Sequence, residues 1–501
     1  MTAAIAALLF ALAAAPAIAA DASWNSQGGD LGNTRHAAAD PAFTAAKLAS
    51  LRPLWQVPLR GTMRFAPVSD GTSLFVTTSL GSLARLDRTS GQVLWDVDLG
   101  TALDIKGAFS KGNPALAGDL VVVAIHNVPA LAAFEKATGK LRWKTAIADS
   151  QLANITQSPL VHDGRVFVGT SGLGEESILK LAAGQTCCGF RGSVMAFDLA
   201  SGRLLWRTYT LPEGYFGGAV WSTAPAVDPK RRIVYATAGN AFQIPPDVQK
   251  CALANLHDRA ALRRCYPAGV WFDSILALDE RTGAIKWGFR ANDYDVFTGT
   301  CLVYDDSGTL LYADSRPRKD CGGGPDYGFA QGPMLWRAGG RDLVGAGQKS
   351  GEFWALNADT GQVVWHRVVG PGSRVGGVRA QATDGKRVYL ATGRIVKGDV
   401  QFPAGTEPPG PPTAFMALDC ATGRTLWEVP DELPAGPLLS AGDIVLGCSN
   451  KDGSQLLAFD GASGKLLAQL KSDAGCSSGA TVIGGTVYAG SGRTLRAWST
   501  K

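Results

Sequence analysis

No run of basic residues stands out in this 501-residue chain, and beyond residue 20 no stretch is long and apolar enough to span a bilayer. The first absence argues against nucleic acid as a partner, because the formal net charge is only +5 and charges of both signs are scattered. The second leaves residues 2–20, nearly all apolar and ending in Ala17-Ile18-Ala19, as the one candidate targeting segment. That segment predicts a secretory signal peptide cleaved near Ala19 or Ala20, even though a basic n-region is also missing. A membrane anchor is the alternative. Cys-x-x-Cys-His occurs nowhere in these residues, and no cysteine precedes Cys187. The sequence therefore offers neither a c-type haem attachment site nor a cysteine near the mature terminus to carry a lipid.

Glycine (62) and proline (26) are abundant, as expected where many short strands are joined by tight turns. An exported chain with nine cysteines, periplasmic or secreted, predicts disulfides. Cys187–Cys188 is one candidate pair. Cys251–Cys265 and Cys301–Cys321 would each staple a polar insertion, and Cys448–Cys476 would link neighbouring repeats. Cys420 is then left over and expected to be buried.

A repeat dominates what is present: apolar-Ala-apolar-Asp-x-x-Thr/Ser-Gly-x-x-x-Trp. It ends at Trp95, Trp143, Trp206, Trp287, Trp365 and Trp427, and a seventh copy reaches Ala468 with the aromatic lost. The apolar arm reads as a strand, Asp-x-x-Thr-Gly as a turn, and the arm carrying Trp as the returning strand. Upstream of most copies lies another strand pair, such as Pro159–Val168 or Pro225–Tyr235, so each unit is a four-stranded antiparallel sheet. Leu54–Val57 is a return strand with no hairpin before it, whereas 480–498 holds three strands with no return strand. Pairing the two makes an eighth sheet and removes an exposed edge. The expected fold is all-β: an eight-bladed β-propeller spanning residues 21–501 and closed by its N- and C-terminal strands. Long insertions near 170–190, 241–272, 291–330 and 399–413 fall between repeats and should crowd one face.

Several motifs are more specific than the repeat. They are Trp24 with Gly28-x-Asp30-x-x-Asn33-Thr34-Arg35, Cys187-Cys188-Gly189-Phe190-Arg191-Gly192-Ser193-Val194, and Ala219-Val220-Trp221-Ser222-Thr223-Ala224-Pro225. To these add Gly239-Asn240, Ala346-Gly347-Gln348-Lys349-Ser350-Gly351 and Val369-Gly370-Pro371-Gly372. Together they resemble the quinoprotein alcohol dehydrogenases, eight-bladed propellers that hold pyrroloquinoline quinone (PQQ) and Ca²⁺ on the central axis, with the polyvinyl-alcohol dehydrogenase group nearest. The resemblance implies that Trp221 stacks on one PQQ face and that a Cys187–Cys188 disulfide ring lies against the other. In the classical methanol enzymes that ring sits elsewhere in the chain, and two thiols or two separate disulfides are the alternatives here. It further implies Lys349 at a PQQ carbonyl oxygen, Thr156, Ser171 and Arg191 at its carboxylates, and Glu175 (or Glu176) with Asn240 and Asp326 as calcium ligands. Asp326, in Gly324-Pro325-Asp326-Tyr327-Gly328-Phe329, would be the general base, with Gly328 standing where the pattern has a second Asp. Asp293 and Asp295 are rivals.

The implied activity is oxidation of an alcohol with electrons passed to a separate cytochrome c. Arg379, beside the position where relatives tend to carry tryptophan, would alter substrate fit. A non-catalytic propeller scaffold for envelope protein assembly and a degenerate quinoprotein are the alternatives.

Overall fold

The computed structural model describes residues 23–37, 43–147, 152–172, 189–221, 223–304, 310–313, 317, 321–372, 377–393, 413–431, 434–451, 455–471, 476 and 478–499. Eight antiparallel four-stranded sheets form a ring. Seven blades follow one another at 68–98, 115–146, 160–209, 226–290, 334–368, 377–430 and 434–471. The eighth is made of Ala480–Ile483, Thr486–Ser491 and Thr494–Ser499, completed on its outer edge by Arg52–Pro58 from the other end of the chain. The expected closure is what the structure shows.

Asp419 accepts the amides of Ala421 and Thr422 and the Thr422 hydroxyl on Oδ1, at 3.1, 2.9 and 2.7 Å, which fixes the turn between the third and fourth strands. Gly423 follows with φ +70°, and a Cβ built there would lie 2.5 Å from Cε3 of Trp365 on the preceding blade. Glycine is required twice over, by the positive φ and by the ring beneath it. The indole Nε1 of Trp365 donates to the Cys420 carbonyl at 3.1 Å. The same dock joins Trp55 to Gly91, Trp95 to Gly139, Trp143 to Gly202, Trp206 to Gly283, Trp287 to Gly361 and Trp427 to Gly464. Each repeat tryptophan therefore clamps its own blade to the turn of the next. Ala468 is explained too: its blade faces the eighth, whose outer strand comes from the N-terminus, so no Asp-x-x-Thr-Gly turn is there to receive an indole.

The N-terminal segment runs through the central channel. Its backbone hydrogen-bonds in chain order to the innermost strands of six blades: Trp24 to Ser69, Asn25 to Leu116, Leu31 to Val227, Gly32 to Leu335, Thr34 to Thr383 and Arg35 to Ser440.

Three disulfides join the expected partners, Cys251–Cys265, Cys301–Cys321 and Cys448–Cys476. Cys420 is the free, buried cysteine among the described residues. Its backbone carbonyl serves two tryptophans, and burial pushes its thiol up to about 12, which makes it inert as a nucleophile. No helix among the described residues is long and apolar enough to cross a membrane. The helices Pro246–Ala254 and Arg259–Arg264 belong to the insertion stapled by Cys251–Cys265.

Candidate functional site

The connections that lead into each innermost strand and those joining each second strand to its third emerge at the same end of the ring. On blades three to five they carry most of the residues singled out by the sequence. Thr156 donates through its hydroxyl to the Trp221 carbonyl at 2.9 Å and lies 3.3 Å from Ser171 Oγ. Trp221 is half-buried, and Lys349 Nζ lies over its ring, 5.1 Å from the centroid. Lys349 Nζ also donates to Asp326 Oδ1 at 2.8 Å. Gly239, whose amide bonds the Ala219 carbonyl, sits so close to Trp221 that a Cβ there would lie 2.9 Å from the indole Nε1. Asn240 follows directly. Thr156, Ser171, Trp221, Asn240, Lys349 and Asp326 therefore belong to one contiguous patch.

Asp326 is completely buried and adopts φ +58°, a conformation that L residues avoid. What holds it there is Asp295. One Asp295 carboxylate oxygen accepts the Asp326 amide at 3.0 Å and the other accepts the Tyr327 amide at 2.6 Å. Asp295 in turn packs against Asp273, which also receives a hydrogen bond from Asn292 Nδ2 at 2.8 Å. All three aspartates have no exposed surface. Burial pushes Asp295 well above the usual carboxylate range, and the charges of Asp273 and Asp326 push it further. Burial likewise pushes Asp273 up to about 7, against hydrogen bonds from Asn292 and Asp295.

A raised carboxyl pKa means that the native state favours the protonated form. The stability this group contributes is full below its unfolded value near 4 and is lost as pH climbs through about 7. The melting temperature of the unliganded protein should accordingly fall from pH 5 to pH 8. Asp273→Asn should flatten part of that fall in calorimetric scans, and an unchanged slope in the variant would remove Asp273 as its source.

The rival acids are placed differently from Asp326. Asp293 is ion-paired with Arg259 at 2.5 Å and Arg263 at 2.6 Å, fastening the helical insertion to the ring. Asp295 is occupied with the two loop amides. Gly328, at the second position of the Asp-x-Asp pattern, packs against the neighbouring loop: a Cβ there would lie 3.0 Å from Gly239 Cα and 3.3 Å from the Asn240 amide nitrogen. A larger side chain would press on the Gly239-Asn240 turn, which accounts for the departure.

Arg191 is not brought to the patch. Its guanidinium lies over the Tyr209 ring, 4.0 Å from the centroid, on the outermost strand of blade three. Glu175, Glu176, Cys187 and Cys188 lie outside the described residues. Arg379 sits on an innermost strand at a bulge, exposed, while Ala380 beside it is buried. The residue that sequence reasoning missed is Asp273. Its signal was an acid directly after the apolar Val270-Trp271-Phe272, at the threshold of a repeat strand.

The donors fit the implied groups to the following extent. The Asn240 NH₂ donates to the carbonyls of Phe297 at 2.9 Å and Ala241 at 3.0 Å, so its Oδ1 is the end available to a cation. With Asp326 it offers an amide and a carboxylate oxygen, part of a calcium shell. Among the described residues no group of three or more His, Cys, Asp or Glu is arranged to hold a metal ion. A flat quinone finds an aromatic platform in Trp221, a cation in Lys349, and hydroxyls in Thr156 and Ser171.

An eight-bladed ring with an indole, an ammonium and a buried carboxylate converging at one end defines a propeller of the quinoprotein class. The chain belongs to the PQQ_2 family, whose model is described as outer membrane protein assembly factor BamB and matches residues 32–173 and 272–501. Among curated proteins it is 28% identical to a polyvinylalcohol dehydrogenase of Pseudomonas sp., over 94% of this chain and 73% of the relative. It is 27% identical to a polyvinylalcohol dehydrogenase of Sphingopyxis sp. (strain 113P3), over 90% and 70%. Among solved structures it is similar in fold to the quinohemoprotein alcohol dehydrogenase of Comamonas testosteroni, with TM-score 0.69 and 19% identity, over 96% of this chain and 80% of that one.

Proposed function

We propose that the protein is an exported, PQQ- and Ca²⁺-dependent dehydrogenase that oxidises an alcohol, secondary and polymeric alcohols included, and delivers electrons to a separate cytochrome c. The observation that carries this reading is the Lys349–Asp326 contact of 2.8 Å beside the face of Trp221. PQQ, when bound, supplies the quinone that takes up the hydride, and Ca²⁺ polarises its carbonyl. Trp221 provides the stacking surface, and Thr156 and Ser171 offer hydroxyls to carboxylate groups. Asp326 accepts the proton of the alcohol hydroxyl. Lys349 orients the Asp326 carboxylate through a charge-assisted hydrogen bond, and its ammonium stabilises negative charge that develops beside it. Asp295 fixes the loop, so that Asp326 presents its carboxylate without reorganisation.

The family model's description favours a second reading, a non-catalytic scaffold for outer-membrane protein assembly. Two observations weigh against it. The model leaves out residues 174–271, the stretch that carries Trp221 and Asn240, whereas both dehydrogenase relatives align over at least 90% of the chain. A scaffold also has no use for a buried ammonium–carboxylate pair, which is costly to desolvate. A degenerate quinoprotein would keep the patch and lack turnover.

Reconstitution separates the three. Purified protein given micromolar PQQ and Ca²⁺ should gain a quinone absorbance and dye-linked oxidation of alcohols. Binding without turnover would indicate the degenerate form, and absence of binding would leave the scaffold.

A further inference from the structure

The Asn33-Thr34-Arg35 motif plays no part in the chemistry above, yet the fold holds it in a costly arrangement. Asp30 caps the loop by accepting the Thr34 amide at 2.9 Å and the Thr34 hydroxyl at 2.5 Å. Both Asn33 (φ 55°) and Arg35 (φ 52°) are forced into the left-handed region. The Arg35 backbone is fixed at both ends, its amide donating to Gly28 at 2.8 Å and its carbonyl accepting from Ser440 at 2.9 Å. Through this strap the Arg35 side chain is set inside the channel, with only 6% of the residue exposed.

A buried guanidinium carries five N–H donors and a full charge, and proteins nearly always give it a carboxylate. Arg35 has none among the described residues. Its hydrogen-bond partner is a neutral amide, Gln27 Oε1 at 3.2 Å, with the Gln27 NH₂ turned to donate to Ser158 Oγ at 2.8 Å and the Thr223 carbonyl at 2.6 Å. Burial alone acts on its ionisation, lowering it to about 10, so the group is still a cation at neutral pH. Next to Ser158, Gln157 buries its Nε2 without an acceptor among the described residues. Among the described residues, then, this part of the channel holds a guanidinium with no carboxylate and an unmatched donor, Gln157 Nε2, together with two buried acceptors, Asn33 Oδ1 and Asn113 Oδ1, that have no partner.

We propose that Arg35 is the receptor of a small monovalent anion, a halide, held in the axial channel on the strap side of the candidate site. One cation balances one negative charge, and the enclosure by strap and innermost strands favours a small ion over a carboxylate or phosphate. Because Gln27 links Arg35 to Ser158 and Thr223, each two residues from a member of the patch (Thr156 and Trp221), the anion would brace the floor beneath that patch. The proposal stands apart from the identity of any cofactor.

The test uses the unliganded full chain. In gluconate buffer of constant ionic strength, replacing gluconate with chloride or bromide should raise the melting temperature saturably, by about 1–3 °C. Arg35→Gln should abolish the saturable part. Crystals grown in bromide should show anomalous density within hydrogen-bonding distance of the guanidinium. If Arg35→Gln fails to fold, Arg35→Lys, which keeps the charge, should retain halide dependence with weaker saturation. Density only of water at Arg35, or halide dependence unchanged in Arg35→Gln, would overturn the proposal.

Discussion

Asp326→Asn is expected to lower kcat for alcohol oxidation by about 10²–10⁴-fold while cofactor binding survives. The substitution preserves shape, and an amide oxygen can still accept from Lys349 Nζ, so the 2.8 Å contact has a substitute. What is lost is the capacity to take a proton. The loop would not collapse, because its left-handed conformation is held by Asp295 through backbone amides that the substitution leaves alone. Binding can be followed by quenching of tryptophan emission on adding PQQ, independently of turnover. The control is Asp293→Asn. That carboxylate is neutralised by Arg259 and Arg263, so its loss should loosen the helical insertion and leave kcat within a few-fold of the parent. Near-parental kcat in Asp326→Asn, or a collapse confined to Asp293→Asn, would transfer the role of base away from Asp326.

The contrast between these two acids shows where a sequence stops being readable. The ring was legible because its information is local and repeated: alternating apolar strands, an acid to cap each turn, a glycine where φ must be positive. Closure was legible from one return strand without a hairpin near the start of the chain and three strands without a return strand at its end. The three insertion and inter-repeat disulfides followed from cysteines that flank the same loop or neighbouring repeats. The patch was only partly so. Trp221, Asn240 and Lys349 sit in motifs with distinctive neighbours, but the partners of Asp326 come from connections 31 and 23 residues away, Asp295 and Lys349. Nothing local distinguishes Asp295, which clamps backbone amides, from Asp293, which faces arginines on a surface helix. Alternation along an extended segment sends adjacent side chains to opposite sides but does not say what waits there. Asp273 escaped notice for the same reason: its significance arises only when blade four closes on the Asp326 loop. Arg191 was expected near a cofactor carboxylate from the resemblance alone, and its guanidinium lies instead over the ring of Tyr209 on its own blade.

Trp365→Ala is expected to produce the largest loss of stability, about 3–5 kcal/mol. Trp365 is 8% exposed, stacks on Phe353 with centroids 5.5 Å apart, and packs face-on beneath Gly423 of the next blade. Truncation removes the ring from between two sheets and strips the Cys420 carbonyl of one of its two indole donors, Trp336 keeping the other at 3.1 Å. Neighbouring sheets cannot close the gap cheaply, because each is held by the next around a closed circle, so a cavity should persist. Trp365→Phe should recover much of the packing but not the hydrogen bond, separating the two contributions. Ala468 provides the internal comparison. At that junction the eighth blade has no Asp-x-x-Thr-Gly turn to receive an indole, because its outer strand comes from the other end of the chain, so Ala468→Trp should bring no gain and should crowd the eighth blade. Chemical denaturation of the four proteins decides the matter. If Trp365→Ala costs no more than a surface substitution, or if Ala468→Trp stabilises, the repeat tryptophan is not what fastens one blade to the next.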